Sequence, residues 1–474
     1  MVAYISISKN IVAGNFYSAI NAYWSPLISW LMAPLISVGI NGLLAYKILN
    51  LGAGLIVLFQ FHIIALEYLI KQNTKWLFML LCIPHLLYFS LCNATPDIIS
   101  LACWLLVFNH IRKIIQYPTI ANAIITGLLA SLSYFAKYYN FYAFILLCFI
   151  VAVYCIIIQK QKAIKYLLLS VTLFGLVCSF WIFQLQSKFG VYTPTTAAQF
   201  NINLINPSVA RQPILFGDHL LDIDYSNFST TSWEYPPAYN IQQWTPFNSI
   251  EAFKKHIQIN LTKNLFHFRN KHLIEFVLFG VACIIFLLDY KSFEAKYWLL
   301  LCSILAYPLG YFWVVASSRY VLFSLLLGIL FILILVEKNP FKHKNYIIIL
   351  LVFGALYSNY ITLNRIIFYK DKGSNYANFY RAVNTQSPFN KHKIIASPDT
   401  WAPALYLSYY SESKLYDVLK PELLQQNKEA ITHLGVDYYF CNQHEIPEGY
   451  KNCIQYSGDW VLIKLNDSTC LIKP

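Results

Sequence analysis

Apolar runs about as long as a bilayer is thick recur along this chain, and they constrain its fold before any motif is considered. A helix needs about 20 predominantly apolar residues to cross a hydrocarbon core. Ten runs near that length are read at 42–70, 76–92, 95–111, 119–136, 141–158, 165–184, 272–289, 297–315, 319–336 and 345–362. Lipid offers the backbone no hydrogen-bond partner, so such runs must close their own ladders as helices. Composition agrees: 12% of the 474 residues are charged and the mean hydropathy is +0.50, whereas soluble domains carry roughly 25% charged residues. A soluble multi-domain enzyme and a disordered chain are both excluded.

The net charge of +13 is unevenly placed. Residues 366–474 hold 11 basic and 11 acidic side chains, which leaves 24 basic against 11 acidic in the apolar part. Alternate joints between the runs carry Lys71 and Lys75; Arg112 and Lys113; Lys160, Lys162 and Lys165; Lys291 and Lys296; and Lys338, Lys342 and Lys344. The short joints between these carry only Lys137 and Arg319. Lysine and arginine collect on the cytoplasmic side, so the first set is cytoplasmic, and the loop 186–271 and the tail from 366 face outward. This is the signature of membrane orientation, so membrane lipids are expected partners and nucleic acid is not.

The expected fold is an all-α polytopic membrane protein of about ten spans plus interfacial helices, with a small extracytoplasmic α/β C-terminal domain. Residues 1–365 form the membrane domain, with outer-loop interfacial helices over 1–40 and a large extracytoplasmic loop over 186–271. Residues 366–474 form the soluble domain, with strands over 393–396, 436–441 and 460–465 and helices over 403–410 and 421–434. On a helical wheel of residues 4–13, Tyr4, Ile5, Ile7, Ile11 and Val12 share a face opposite Ser6, Lys9 and Asn10, as in a helix lying in the interface. Residues 24–40, with Trp24, Trp30, Pro26 and Pro34, are read the same way, because tryptophans gather at headgroup depth. Of the 11 cysteines, Cys441, Cys453 and Cys470 lie in the polar tail. An outward tail permits a disulfide there, and free thiols fit equally well.

Acidic residues are scarce enough to weigh singly. Glu67 and Asp97 are the only two before Asp218. Glu67 sits at a cytoplasmic span end beside Lys71, where an ion pair explains it. Asp97 opens a span at the outer boundary. It is read either as an acid favoured by the helix dipole or as an acid aimed into an outward cavity. Lys137 and Arg319 run against the charge bias, either as headgroup anchors or as the grip on a phosphate, Arg319 by a bidentate fork and Lys137 as a point charge. The run Ser133-Tyr134-Phe135-Ala136-Lys137-Tyr138-Tyr139 offers aromatic faces suited to a sugar. Asp218, His219, Asp222, Asp224 and Glu234 in the long loop match no trusted ligand spacing, and neither do His267 and His272. No cofactor and no metal ligand is therefore assigned, and a divalent metal stays open.

The run Tyr4-Ile5-Ser6-Ile7-Ser8-Lys9-Asn10 through Gly14-Asn15, followed by Tyr23-Trp24-Ser25-Pro26-Leu27, resembles the first outer loop of GT-C glycosyltransferases. The resemblance is to the bacterial branch related to protein O-mannosyltransferases and lipid A aminoarabinose transferases. Thr95-Pro96-Asp97 is similar to that family's acidic second outer loop, Ala136-Lys137 to its lysine at the end of a later span, and Ser318-Arg319-Tyr320 to its Arg-Tyr pair. The similarity runs through most of 1–365. It implies a glycosyltransferase of the bacterial inner (plasma) membrane. Such an enzyme moves a sugar from a polyprenyl-phosphate donor to a lipid, glycan or protein acceptor on the extracytoplasmic face, with inversion. By this resemblance Asp97 is catalytic, Lys137 and Arg319 bind the donor phosphate, and Tyr23, Trp24, Tyr138, Tyr139 and Tyr320 line the substrate cavity. The family also carries a span and a catalytic acid just before the stretch matching Val2-Ala3-Tyr4-Ile5-Ser6. The expectation is a reading frame that extends upstream of Met1, without which the chain is catalytically dead.

Two rival readings use the same lipid-linked ligands. A transporter or flippase would place ionisable residues at mid-span, whereas Lys47 lies near the outer end of its run. A glycan ligase or polymerase would share the donor type.

Overall fold

The computed structural model describes residues 1–69, 71–92, 95–206, 220, 228–239, 241–289, 291, 293–314, 317–338, 344–386 and 388–465. Among the described residues the chain is mostly helical with one five-stranded sheet, and it divides into two compact units. One comprises Ser25–Ile205 and Pro246–Ile367; the other comprises Met1–Trp24, Asn206–Thr245 and Phe368–Pro474. The first 24 residues thus cluster with the C-terminal segment.

In the larger unit, helices Gly42–Tyr68, Gln72–Leu91, Asp97–Gln116, Asn140–Ile157 and Gln161–Phe189 and the segment Arg319–Lys338 are long and apolar enough to cross a membrane. Local chemistry sets their ends. Asn41 and Thr119 accept from Leu43 N at 2.9 Å and Asn122 N at 3.2 Å, capping two helix starts. Gly190 ends Gln161–Phe189 at φ +73°, a backbone geometry that favours glycine. Small residues let helices approach. A Cβ on Gly127 would stand 2.8 Å from the Ser170 carbonyl, and Ser170 Oγ donates to Ala123 O at 3.0 Å. Close backbone packing of this kind associates helices in lipid, where burying apolar surface gives no advantage.

Three expectations are corrected here. The run 297–315 is not one helix: Ala295–Ala306 gives way to a 3-10 segment, Tyr307–Trp313. Pro308 supplies no backbone N–H for a continuing α-helix. Glu67 pairs with Arg112 and not with Lys71. Arg112 is 7% exposed, so its charge needs a buried partner. It also donates to Asn109 at 2.8 Å, and Asn109 donates to Gln60 at 2.7 Å. The last run does not stop at 362, because its helix extends over Lys344–Gln386. The helix Leu27–Ser37 has 11 residues, about half the length of a span, and Trp30 packs there on Phe135 and Trp181.

The smaller unit carries β1 (Lys393–Ala396), β2 (Lys414–Val418), β3 (Tyr438–Asn442), β4 (Ile454–Ser457) and β5 (Trp460–Lys464), in the order β2-β1-β3-β5-β4. β1 is parallel to β2 and β3, and β5 is antiparallel to β3 and β4. Ile394 and Ala396 pack with Phe379, Val383 and Leu407, whereas Ile395 packs with Ile431 and Leu434. Covering both faces is why β1 reads as a continuous apolar run rather than an alternation. β2 and β4 were not expected, and the helix read over 421–434 is a 3-10 turn, Pro421–Leu423, followed by Lys428–Leu434. Cys453 is disulfide-bonded, whereas Cys441 is a buried free thiol.

The helix Val2–Val12 forms, but its polar face is not left to water: Ser6, Ser8 and Asn10 are buried. Ser8 Oγ and Asn10 Nδ2 satisfy themselves on carbonyls one turn back, at 2.7 and 3.1 Å. Ser6 Oγ also lies 3.4 Å from Thr230 Oγ1. Residues 228–239 attach to the edge strand β2 through Leu415 N donating to Thr230 O at 2.8 Å. Asp218, His219, Asp222 and Asp224 lie outside the described residues, as do the side chains of His267 and His272.

Candidate active site

Three helix ends of the larger unit supply the ionic residues. Asp97 opens the helix Asp97–Gln116, Lys137 follows the last turn of Ile120–Ala136, and Arg319 lies in the 3-10 turn Ser318–Val321. Lys137 Nζ stands 2.6 Å from Asp97 Oδ1, and Arg319 Nε stands 3.7 Å from Oδ2. The Thr95 hydroxyl donates to Oδ2 as well. The side chains are 5% exposed for Asp97, 18% for Lys137 and 30% for Arg319. Pro96, not Asp97, occupies the N-cap, and no side-chain cap bond forms there. Asp97 is therefore an ion-pairing group that also enjoys the positive end of the helix dipole.

An aromatic stack lies against the cations. Tyr139 stacks on Tyr311 at 3.8 Å and 22°, and Tyr311 on Tyr320 at 5.0 Å and 16°. Lys137 Nζ is 4.2 Å from the Tyr320 ring centre and 5.4 Å from that of Tyr311, distances at which a cation is attracted to a ring face. Arg319 lies 4.9 Å over Tyr320 and donates from Nη2 to the Tyr320 hydroxyl at 3.0 Å. Gly310 makes this possible, since a Cβ there would come 2.5 Å from the Tyr139 ring. The Tyr139 hydroxyl donates to the Tyr307 carbonyl. The Tyr307 hydroxyl in turn donates to Asn140 Oδ1 at 3.1 Å, and Asn140 Nδ2 reaches Ser133 Oγ and Ser100 Oγ at 2.8 and 3.0 Å. This polar layer fixes the stack from behind.

Two cations against one carboxylate leave the cluster with a net charge of +1. In a half-buried place such an excess attracts an anion more strongly than it would in water. The chemistry available is recognition of a phosphate or carboxylate, with a carboxylate held beside it.

The other sequence candidates divide. Tyr139 and Tyr320 stand in the stack. Tyr138 does not join it: it packs on Tyr134, and its hydroxyl accepts from Trp181 at 3.0 Å. Tyr23 and Trp24 belong to the smaller unit, where Trp24 packs on Tyr4 and donates to Trp233 O at 3.3 Å. Tyr311, Tyr307, Asn140 and Gly310 were missed. The run Tyr307-Pro308-Leu309-Gly310-Tyr311 held the signal, because proline and glycine mark a break. Among the described residues no three His, Cys, Asp or Glu gather as metal ligands.

Two further acids are buried in the smaller unit. Burial pushes Glu234 up to about 7, opposed by hydrogen bonds from Ser6, Thr230 and neighbouring groups. Burial likewise raises Asp417 to about 7, opposed by its bonds from Val418 N and the Tyr239 hydroxyl.

No protein-family model matches the chain, and no curated protein matches its sequence. Among solved structures the chain is similar to ArnT from Cupriavidus metallidurans bound to undecaprenyl phosphate, with a TM-score of 0.53 and 10% identity. The match covers 99% of this chain and 94% of that one. At that identity the likeness is one of fold. The fold implied by the sequence resemblance agrees with the fold found: mostly helical, with several helices long and apolar enough to cross a membrane and a small sheet domain towards the C-terminus, as in the ArnT-like fold.

Proposed function

We propose that this chain is a membrane glycosyltransferase that moves a sugar from a polyprenyl-phosphate donor to an acceptor on the extracytoplasmic face, with inversion. The observation that carries this reading is the gathering of Asp97, Lys137 and Arg319 into one half-buried cluster of net charge +1. The donor is a phosphodiester, and its leaving group gains negative charge as the sugar departs. Cations already in place stabilise that charge without reorganising. Asp97 holds both cations before the phosphate arrives. Once the phosphate takes them over, the carboxylate is the base for the acceptor hydroxyl. The undecaprenyl phosphate held by ArnT supports a lipid phosphate as the ligand here.

This reading includes about ten spans in a bacterial inner membrane, with basic joints cytoplasmic and residues 186–271 and 366–474 outside. A cysteine placed at Asn206 or Ser413 then reacts with an impermeant thiol reagent in intact cells, and one placed at Lys342 does not. The decisive test uses the chain in nanodiscs with a labelled polyprenyl-phosphate sugar and a bacterial envelope extract as acceptor. Asp97→Asn, Lys137→Ala and Arg319→Ala should each lower transfer roughly a hundredfold with membrane insertion intact. Wild-type activity in all three would refute the reading, and movement of the labelled lipid across the bilayer without transfer would favour the flippase.

A further inference from the structure

We infer that Asn140 is a positioning residue for the transfer proposed above, on which the inference rests: its side-chain amide holds Lys137 and Asp97 at one fixed spacing. Lys137 stands at a break between two helices, Ile120–Ala136 and Asn140–Ile157, with its own backbone extended at φ −156° and ψ +117°. Such a break leaves carbonyl groups without their helical partners. Asn140 bonds on both sides of it. Its backbone N donates to Lys137 O at 2.9 Å, and its Nδ2 donates to Ser133 O at 3.0 Å, the carbonyl that also accepts from Lys137 N. The same Nδ2 lies 2.8 Å from Ser133 Oγ.

The amide also reaches the helix of the acid. Nδ2 is 3.0 Å from Ser100 Oγ, and Ser100 follows Asp97 by about one turn of the helix Asp97–Gln116. On its other side Oδ1 accepts from the Tyr307 hydroxyl at 3.1 Å. Asn140 is 0% exposed, so no solvent substitutes for these bonds. An amide offers donors and an acceptor in one plane, a combination that neither a carboxylate nor an apolar side chain of that size supplies. Removing it leaves both cations and the carboxylate in the chain, so the attraction for a phosphate persists. What is lost is the placing of the acid against the lysine, and a misplacement of about 1 Å can cost roughly a hundredfold in rate.

The test separates turnover from affinity in the full chain in nanodiscs. Asn140→Ala should lower turnover with a labelled polyprenyl-phosphate sugar by roughly a hundredfold, while the affinity for undecaprenyl phosphate changes less than about threefold. The double-mutant cycle of Lys137→Met and Asp97→Asn, repeated in the Asn140→Ala background, should lose at least about half of its coupling. Ser100→Ala cuts only the link to the acid's helix and should give the same split at about tenfold; it carries the test where Asn140→Ala does not fold. Turnover that falls only with the folded fraction, turnover and affinity that fall together, or an unchanged coupling would each overturn the inference and leave the proposed function in place. Absence of transfer by wild type, with the acceptor extract supplied, would end both together.

Discussion

Removing Lys137 tests whether the cluster is one coupled unit. Asp97 is 5% exposed and Lys137 18%, with 2.6 Å between Nζ and Oδ1. Breaking a buried pair by deleting one partner costs about 3–5 kcal/mol, because the remaining charge is left uncompensated. Arg319 still stands 3.7 Å from Oδ2, and Lys137 is not fully buried, so Lys137→Met should fall at or below the lower end, about 2–3 kcal/mol. Asp97→Asn leaves two adjacent cations with no carboxylate between them and should cost a similar amount. The double variant removes both charges of the close pair and leaves only Arg319, 30% exposed, without its carboxylate, so its cost should be below the sum, with a coupling energy of about 2 kcal/mol. The assay is unfolding of the four proteins of the cycle in nanodiscs, with transfer measured alongside. Additivity within about 0.5 kcal/mol would mean that the pair contributes no coupling, and the argument for a preassembled cluster would fail.

Other consequences are independent of that pair. Glu234 ionises in the folded unit near 7, above its unfolded value of about 4.3. Its contribution is therefore full below about pH 4 and is lost as pH rises to 7, by about 3 kcal/mol. Glu234→Gln should flatten that part of the pH dependence, read as hydrogen exchange of residues 228–239 in the full chain at pH 5 and pH 8. An unchanged difference between the two would count against a buried acid there. Gly310→Ala forces a Cβ to 2.5 Å from the Tyr139 ring, so it should destabilise by about 1–3 kcal/mol and weaken undecaprenyl phosphate binding, and a wild-type melting temperature with wild-type binding would show that the stack yields freely. Arg112→Met strands Glu67, which should lower the melting temperature, whereas the double variant with Glu67→Gln should recover part of the loss.

Much of the architecture was readable in one dimension. The helices Gly42–Tyr68 and Asn140–Ile157 follow their apolar runs closely, because a backbone in lipid must satisfy itself locally. β1, β3 and β5 were legible as β-branched and aromatic runs bounded by turns. β4 was not, since Ile454-Gln455-Tyr456-Ser457 is short and mixed, and it is held by its pairing with β5. β2 was obscured by Asp417, a buried acid whose partner Tyr239 lies 178 residues away. The 3-10 segment Tyr307–Trp313 was hidden inside an apolar run, although its proline and glycine marked the break.

What the sequence decided by itself is which segments are helices in an apolar medium and which of their ends share a charge sign. It marked Asp97, Lys137 and Arg319 as exceptions, because each is an ionic residue where the local pattern has none. Only the tertiary structure decided that these exceptions meet. Asp97 and Lys137 are 40 residues apart, and Arg319 comes from a third helix end. The choice of partner was equally out of reach, as Glu67 shows by pairing with Arg112 and not with the nearer Lys71. The physical reason is common to these cases. Helix formation in lipid depends on neighbours along the chain, whereas helix pairing depends on which faces and small residues fit, and burying apolar surface gives it no further drive.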